Sequence, residues 1–471
     1  MTVFILGGGP SGLAIADGLA DSGADRFTLF EQGQRLGGLA QSLPWNGAGT
    51  HDLGPHKIFT LDETLMNRVN ALLPSADWLT RDKISSIYMK GHYLPYPPSP
   101  FSLAGVFGLP AFTRMVAGYG GARLSSLAGS RTPATFEEDL TGRLGSPLYD
   151  VLFKPIALKL WGDPARLDVK LSKGRVQTPS LTEVLARLLK LKSSSEFEAL
   201  NFRYPKGGLG RIWDAIQTKA SKHGEFHLRH TVTGVTCENG VIRAIQTREE
   251  ATGQTHETPV RKDDFVASTL PMAQTVEMLS SALPADTAAT VKETVTLNDL
   301  LLVFLHVDTP NLMKDSWVFV PDPDIIFHRL SEQESFDPGM TPGGSIVCCE
   351  IMSSDVRPMA AKSDDELIDT ATADLHKMGY DGFKVRAAKV IRLPRSYPVY
   401  RTGYEAGLKR VTKALDGFKN FRSIGRQGSF NYIGTLDAMD IGYGFARWLP
   451  ERHQASWEAE RARTNHYPVL D

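Results

Sequence analysis

Residues 2–31 read TVFILGGGPSGLAIADGLADSGADRFTLFE, and this stretch decides the fold. Thr2–Leu6 is a short apolar run of β character, and Gly7 to Gly12 is a glycine-rich turn. Leu13 to Ala20 has the spacing of a helix that packs on a sheet, and Phe27 to Phe30 is a second β-type run ending at Glu31. Strand, turn, helix and strand in that order make a βαβ unit, which opens an α/β domain. Within the turn, Gly7, Gly9 and Gly12 supply G-x-G-x-x-G around Pro10 and Ser11. That spacing permits a tight turn, a close approach of backbone to a pyrophosphate, and close helix–strand packing. The helix N-terminus then turns N–H groups and a positive dipole end toward the phosphates. Glu31 stands where a carboxylate accepts bonds from both ribose hydroxyls. A glycine turn alone is commonplace; turn, helix and acid in this order predict a dinucleotide site.

Working outward, helical patterns occupy Thr64–Leu73, Phe136–Leu144, Leu181–Leu191 and Leu209–Lys222. From His227 the pattern alternates up to Glu238, turns at Asn239-Gly240 and alternates again, a strong hairpin signal. On such a strand His227 and His230 fall on opposite faces, so no metal site follows from them. Leu300–Val307 and Ser345–Cys349 read as strands and Asp364–Met378 as an amphipathic helix. Cys348 and Cys349, in an apolar run, read as buried small side chains. The expected class is α/β with α+β character: a Rossmann-type domain with an inserted substrate domain and a helical segment. The expected division is 1–75, 201–270 and 396–471 for the cofactor, 76–200 helical and substrate-facing, and 271–395 substrate-binding.

The 471 residues carry 52 Lys and Arg against 53 Asp and Glu, a net charge of −1, which removes the electrostatic case for nucleic-acid binding. Three cysteines, two of them adjacent, offer neither a disulfide framework nor a zinc spacing, and a reducing, cytoplasmic setting fits them. Met1 to Leu6 is too short and lacks the basic flank of a signal peptide. Phe101 to Gly129 is weakly polar, but Pro110, Arg114 and several glycines interrupt it. It is expected to fall short of a membrane span, with peripheral membrane contact left open there.

The residues after Glu31 choose the dinucleotide. Gln32-Gly33-Gln34-Arg35-Leu36-Gly37-Gly38-Leu39 places a second glycine pair soon after the acid, and this resembles the flavoprotein pattern of amine oxidases and protoporphyrinogen oxidases. His51-Asp52-Leu53-Gly54-Pro55-His56 is similar to a segment of UDP-galactopyranose mutases that sets histidine beside the flavin. Leu152-Phe153-Lys154-Pro155 through Lys159-Leu160-Trp161-Gly162 resembles the Lys…Trp-Gly helix of the same group. Tyr204-Pro205-Lys206-Gly207-Gly208 matches a turn shared with the wider oxidases. Pro394 to Tyr400 and Gly425 to Tyr432 resemble the mutase-type ending.

The resemblance implies FAD, held by Gly7, Gly9, Pro10, Ser11, Gly12, Glu31, Gln32, Arg35, Gly37, Gly38, Leu39, Gly54, Pro55, His56, Val232, Gly425, Arg426, Asp437 and Met439. It implies catalytic roles for His56, Tyr432, Arg175 and Tyr397. Arg175 is the one arginine after the Trp-Gly motif that can be placed as a diphosphate ligand. Of Lys154 and Lys159, one is expected on a solvated face. The implied activity is FAD-dependent oxidation of a small polar substrate, a sugar or nucleotide-linked sugar, by hydride transfer with His56 or a water taking the proton. The alternative is a non-redox nucleotide-sugar mutase; two or more Arg or Tyr groups converging on the pocket would favour it. Homo-oligomerisation stays open.

Overall fold

The computed structural model describes residues 1–23, 26–127, 129, 132–175 and 201–464. The helix expected at Leu181–Leu191 lies outside them, as does the Arg175 side chain. A five-stranded parallel sheet runs in the order Phe421–Ser423, Phe265–Ser268, Thr2–Leu6, Arg26–Glu31, Gly224–Leu228. Side chains alternate across it. Val3 and Ile5 enter a core with the helices Pro10–Ser22, Gly210–Ala220 and Thr435–Glu451, while Phe4 and Leu6 enter a second core with Val232, Ile242 and Phe421. Burial on both faces explains the unbroken apolar run at the N-terminus.

A seven-stranded sheet forms the other half of the molecule, ordered Val385–Val399, Thr296–Val307, Ser345–Ser353, Arg329–Glu332, Trp317–Phe319, Ser85–Met89, His92–Pro95. Leu301, Val303, Leu305 and Cys349 face one core; Leu300, Leu302, Phe304 and Cys348 face another. The adjacent cysteines therefore point to opposite, buried faces, and burial pushes both thiols up. All three cysteines are free.

One local reading needs correction, and one gains detail. The alternation from His227 is not one strand. Arg229 takes a left-handed φ of 57° and divides Gly224–Leu228, in the parallel sheet, from His230–Glu238, in the hairpin with Val241–Glu249. The rings of His227 and His230 consequently meet, with centroids 5.3 Å apart. The stretch expected to fall short of a span forms helix Pro100–Leu127, which contains an 18-residue window of mean hydropathy 1.3, long and apolar enough to cross a membrane by length and composition only. Gly108, at φ 76° and ψ 160°, kinks it. Pro110 then lies in the first turn of the second segment, where a missing N–H breaks no bond.

Helix Pro10–Ser22 is fixed by one carboxylate. Asp17, 1% exposed, accepts from Tyr443 Oη at 2.9 Å, Lys219 Nζ at 2.7 Å and Arg68 Nη2 at 3.1 Å, and the Arg68 guanidinium lies 3.7 Å from the Tyr443 ring centre. Those partners come from helices Thr435–Glu451, Gly210–Ala220 and Glu63–Asn70. Removing a buried carboxylate while its donors remain costs about 2–4 kcal/mol. Asp17→Ala should lose that much in urea denaturation, whereas replacing an exposed acid such as Glu451 should change stability by less than about 0.5 kcal/mol.

Candidate active site

Three segments distant in sequence meet at the turn Gly7–Gly12. At Gly12 a Cβ would lie 2.1 Å from Gly7 O, so the helix and the first strand can close only on a bare Cα. Among the described residues, none lies within 4 Å of where a Cβ on Gly9 would stand, which leaves its backbone approachable. The second glycine turn packs against the first: Gly37 N–H donates to Gly8 O at 2.8 Å, and a Cβ on Gly38 would approach Gly9 Cα to 3.1 Å. The third segment arrives at Gly425, whose φ is 82° and whose Cβ would lie 2.6 Å from Ser11 Oγ. Ser11 Oγ in turn donates to Ala438 O at 2.7 Å.

Glu31 Oε2 accepts from Gly8 N–H at 2.8 Å and Oε1 from Gly33 N–H at 2.7 Å. Each carboxylate oxygen has a further lone pair, so this fixed group can also receive hydroxyl donors. An approachable backbone, a helix N-terminus begun by Pro10, and an anchored carboxylate fit a dinucleotide's diphosphate and ribose. Gln32 and Arg35 are exposed beside Glu31, and Leu39 and Gly54 lead on to Pro55 and His56. Val232 lies in the core with Phe4, Leu6 and Phe30. Met439 is fully buried on the packed face of helix Thr435–Glu451. Asp437 caps that helix, accepting from Gly434 N–H at 3.0 Å.

Beyond the glycines lies a second group of side chains. His56 is half-buried, with Nε2 3.2 Å from Leu39 O and from Leu53 O. Both partners are carbonyl acceptors, which assigns the proton to Nε2 and leaves Nδ1 as the acceptor. Burial, then the nearby Arg329 and, more weakly, Arg426, push its pKa down to about 4. Arg329 grips the buried Glu350 in a two-point fork from the neighbouring strand, Nη2 to Oε2 at 2.8 Å. Below Gly54, Asp52 accepts from Tyr204 Oη at 2.6 Å and Ser42 Oγ at 2.5 Å, and Gln333 donates to Tyr204 Oη at 2.9 Å. Burial pushes the Asp52 carboxyl up to about 6 despite these donors.

On the C-terminal side the Arg426 guanidinium sits 5.3 Å from the Tyr397 ring centre and 5.1 Å from that of Tyr432, and donates through Nη1 to Ile433 O. The Tyr397 and Tyr432 rings meet edge to face at 5.5 Å, and Trp161 reaches Tyr432 at 6.4 Å. The structure thus gathers Arg426, Tyr397, Tyr432 and Trp161. Arg175 ends a short helix, Val169–Arg175. Lys154 lies on the surface near Glu137 and Asp150. Lys159 is buried, donating to Val320 O at 2.8 Å and Phe327 O at 3.0 Å, and burial lowers its pKa to about 7. Arg329 and Glu350 escaped the sequence reading, and Tyr204 entered it only as part of a shared turn, without a role. The available signal was a charge inside an apolar run, as in Cys348-Cys349-Glu350.

Comparison with known proteins gives the family. Residues 5–73 match the NAD(P)-binding Rossmann-like domain, and residues 143–410, more than half of the chain, match the flavin containing amine oxidoreductase family. The chain belongs to the flavin containing amine oxidoreductase family. Its cofactor is FAD, and the chain is a flavoenzyme. A probable UDP-galactopyranose mutase from Klebsiella pneumoniae is 28% identical over 177 residues, covering 36% of this chain; the chain spans 44% of the length of that relative. Among solved structures, a reduced UDP-galactopyranose mutase superposes with a TM-score of 0.83 at 19% identity, over 99% of this chain and 98% of that one. A protein from Exiguobacterium sp. 255-15 assigned as protoporphyrinogen oxidase follows at 0.73 and 17% identity, over 96% and 99%. At these identities the solved structures establish the shared fold.

Two outcomes test the cradle. Gly12→Ala should purify without its yellow flavin, because the added methyl displaces the turn; absorbance near the oxidised-flavin band reads this. The depressed His56 pKa carries a sign: the unfolded imidazole takes a proton near 6.5 and the folded one only near 4. Wild type should therefore lose stability relative to His56→Asn as pH falls from 6.5 toward 4, with a constant difference above 6.5. Parallel thermal melts across that range check it.

Proposed function

We propose that this flavoenzyme rearranges the ring of a nucleotide-linked sugar without net oxidation. The observation that carries this reading is Arg426 held between Tyr397 and Tyr432, with Trp161 beside them. A guanidinium with two phenols is a donor set for a diphosphate, and an indole offers a face for a sugar or base. Such a set can hold a diphosphate while its bond to the anomeric carbon is broken, and return it to the same carbon. Bound FAD supplies either a hydride acceptor when oxidised or a nucleophilic ring nitrogen when reduced.

His56 supports the non-redox branch. Oxidising an alcohol releases a proton, and an imidazole whose conjugate acid has a pKa of about 4 takes it poorly near neutrality. Its Nε2–H instead braces Leu39 and Leu53, leaving Nδ1 as an acceptor for a cofactor or substrate hydrogen. In a ring rearrangement the hydroxyl proton stays within the substrate, so no strong base is required. The UDP-galactopyranose mutase relative points the same way. In this proposal 1–75, 201–270 and 396–471 serve the cofactor, through the residues from Gly7 to Met439 named above, while 76–200 and 271–395 serve the substrate. His56, Tyr397 and Tyr432 meet the reacting groups, and Arg175 joins them from 76–200.

The oxidoreductase reading gives the opposite result in one experiment. UDP-galactose and related nucleotide sugars are added anaerobically to oxidised and to pre-reduced protein. Turnover confined to the reduced form, without bleaching of the oxidised flavin, is expected. Bleaching of oxidised flavin by a sugar would replace the mutase with hydride transfer. Arg426→Lys should raise KM for the active sugar about tenfold, because a point charge replaces a fork, and Tyr432→Phe should do so less.

A further inference from the structure

We propose that the outer face of helix Pro100–Leu127 is a docking surface for an anionic lipid bilayer. Leu109, Val116 and Leu124 are 71%, 54% and 70% exposed, and Phe101, before the kink, is 79% exposed. At 3.6 residues per turn Leu109, Val116 and Leu124 share one stripe, with Arg123 on one side and Arg114 on the other. A contiguous exposed apolar stripe marks an interaction surface, and long cationic side chains at its edges can reach lipid head groups.

The helix lies on a membrane rather than through it. Its inner face is committed to protein: Leu103 packs with Ile87, Met89 and Leu94, and Met115 is buried. Tyr119 packs against the cluster of Phe136, Tyr149 and Trp161, which also touches Tyr432. A spanning helix would have to give up these contacts. The docked face would thus sit over the wall of the candidate site.

Charge selects the partner. From Lys83 to Phe136 the sequence has no Asp or Glu, although the chain has 53 of them, and it has five Lys or Arg. Lys90 Nζ lies 4.9 Å from the Phe107 ring, and Arg123 lies 5.1 Å from that of Tyr119, so two of these cations lie against aromatic rings at the border where the helix meets protein. An anionic leaflet attracts the cations that flank the stripe, Arg114 and Arg123. A second copy of the chain would bring like charges together across a two-fold axis, with no carboxylate in this segment to pair them.

The test is flotation of the FAD-loaded protein with vesicles. Wild type should float with vesicles of equal parts phosphatidylcholine and phosphatidylglycerol, and roughly tenfold less with phosphatidylcholine alone. Leu109→Ser combined with Leu124→Ser should cut flotation on the anionic vesicles about tenfold, with flavin absorbance reporting an intact fold. Arg114→Glu, at an exposed position, tests the charge term without touching the apolar stripe and should reduce flotation on anionic vesicles only. Absence of wild-type flotation on both vesicle types would overturn the proposal. So would a wild-type dimer in light scattering that the double serine variant converts to monomer, which would assign the face to self-association.

Discussion

The first and last long helices of the chain lie so close that side chains are excluded between them. A Cβ on Gly442 would fall 2.2 Å from Ser11 O, and one on Gly18 would fall 2.7 Å from Ala446 Cβ. Asp17 and Tyr443 lock the same pair with a buried hydrogen bond, and Ser11 Oγ bonds Ala438 O. Everything at the site follows from this closure. It carries the turn Gly425–Arg426 onto Ser11 and aims the N-terminus of helix Thr435–Glu451 at the glycine turns. The intervening segments, including the seven-stranded sheet, are then held between two fixed ends.

Electrostatics on the reactive side are set by burial more than by partners. Glu350 is 1% exposed and would be costly without Arg329, while Arg329 alone would be an unbalanced cation beside His56. Paired, they leave a residual field that helps keep the imidazole neutral. Asp52 shows the same hierarchy, since three donors do not overcome its desolvation and its carboxyl stays above the usual range. These buried groups hold the Gly54–His56 loop from below and fix where His56 can offer Nδ1.

What was legible in the sequence was local. The βαβ unit, the Asn239-Gly240 hairpin, and the helices at Phe136–Leu144 and Asp364–Lys377 are written in spacing and turn chemistry over no more than about thirty consecutive residues. The pairing of Arg329 with Glu350 depends on strand register, which no local pattern states. Nor could alternation reveal the left-handed Arg229, because a single φ ends a strand without changing its composition. Lys159 was ambiguous for a similar reason. A lysine on a helix reads as solvated until the carbonyls of Val320 and Phe327 are found waiting for it. Pro110 misled in the other direction, since a break already made at Gly108 turns a helix breaker into a tolerated first-turn residue.

The neighbour relation of Gly425 and Arg426 has a chemical consequence. Gly425 lies against Ser11 of the first glycine turn, and the next residue is the cation placed between Tyr397 and Tyr432. A shift of this turn therefore displaces the packing of the glycine turn and the Arg426 group together. Scaffolds of this fold host different reactions, so reaction type is decided by the groups around the flavin rather than by the sheet. Among the described residues near the Gly54–His56 loop and the Gly425 turn are the cations Arg329 and Arg426 and the weakly basic His56 imidazole. Under the reading proposed above, a site so arranged serves to hold a charged leaving group rather than to remove a proton.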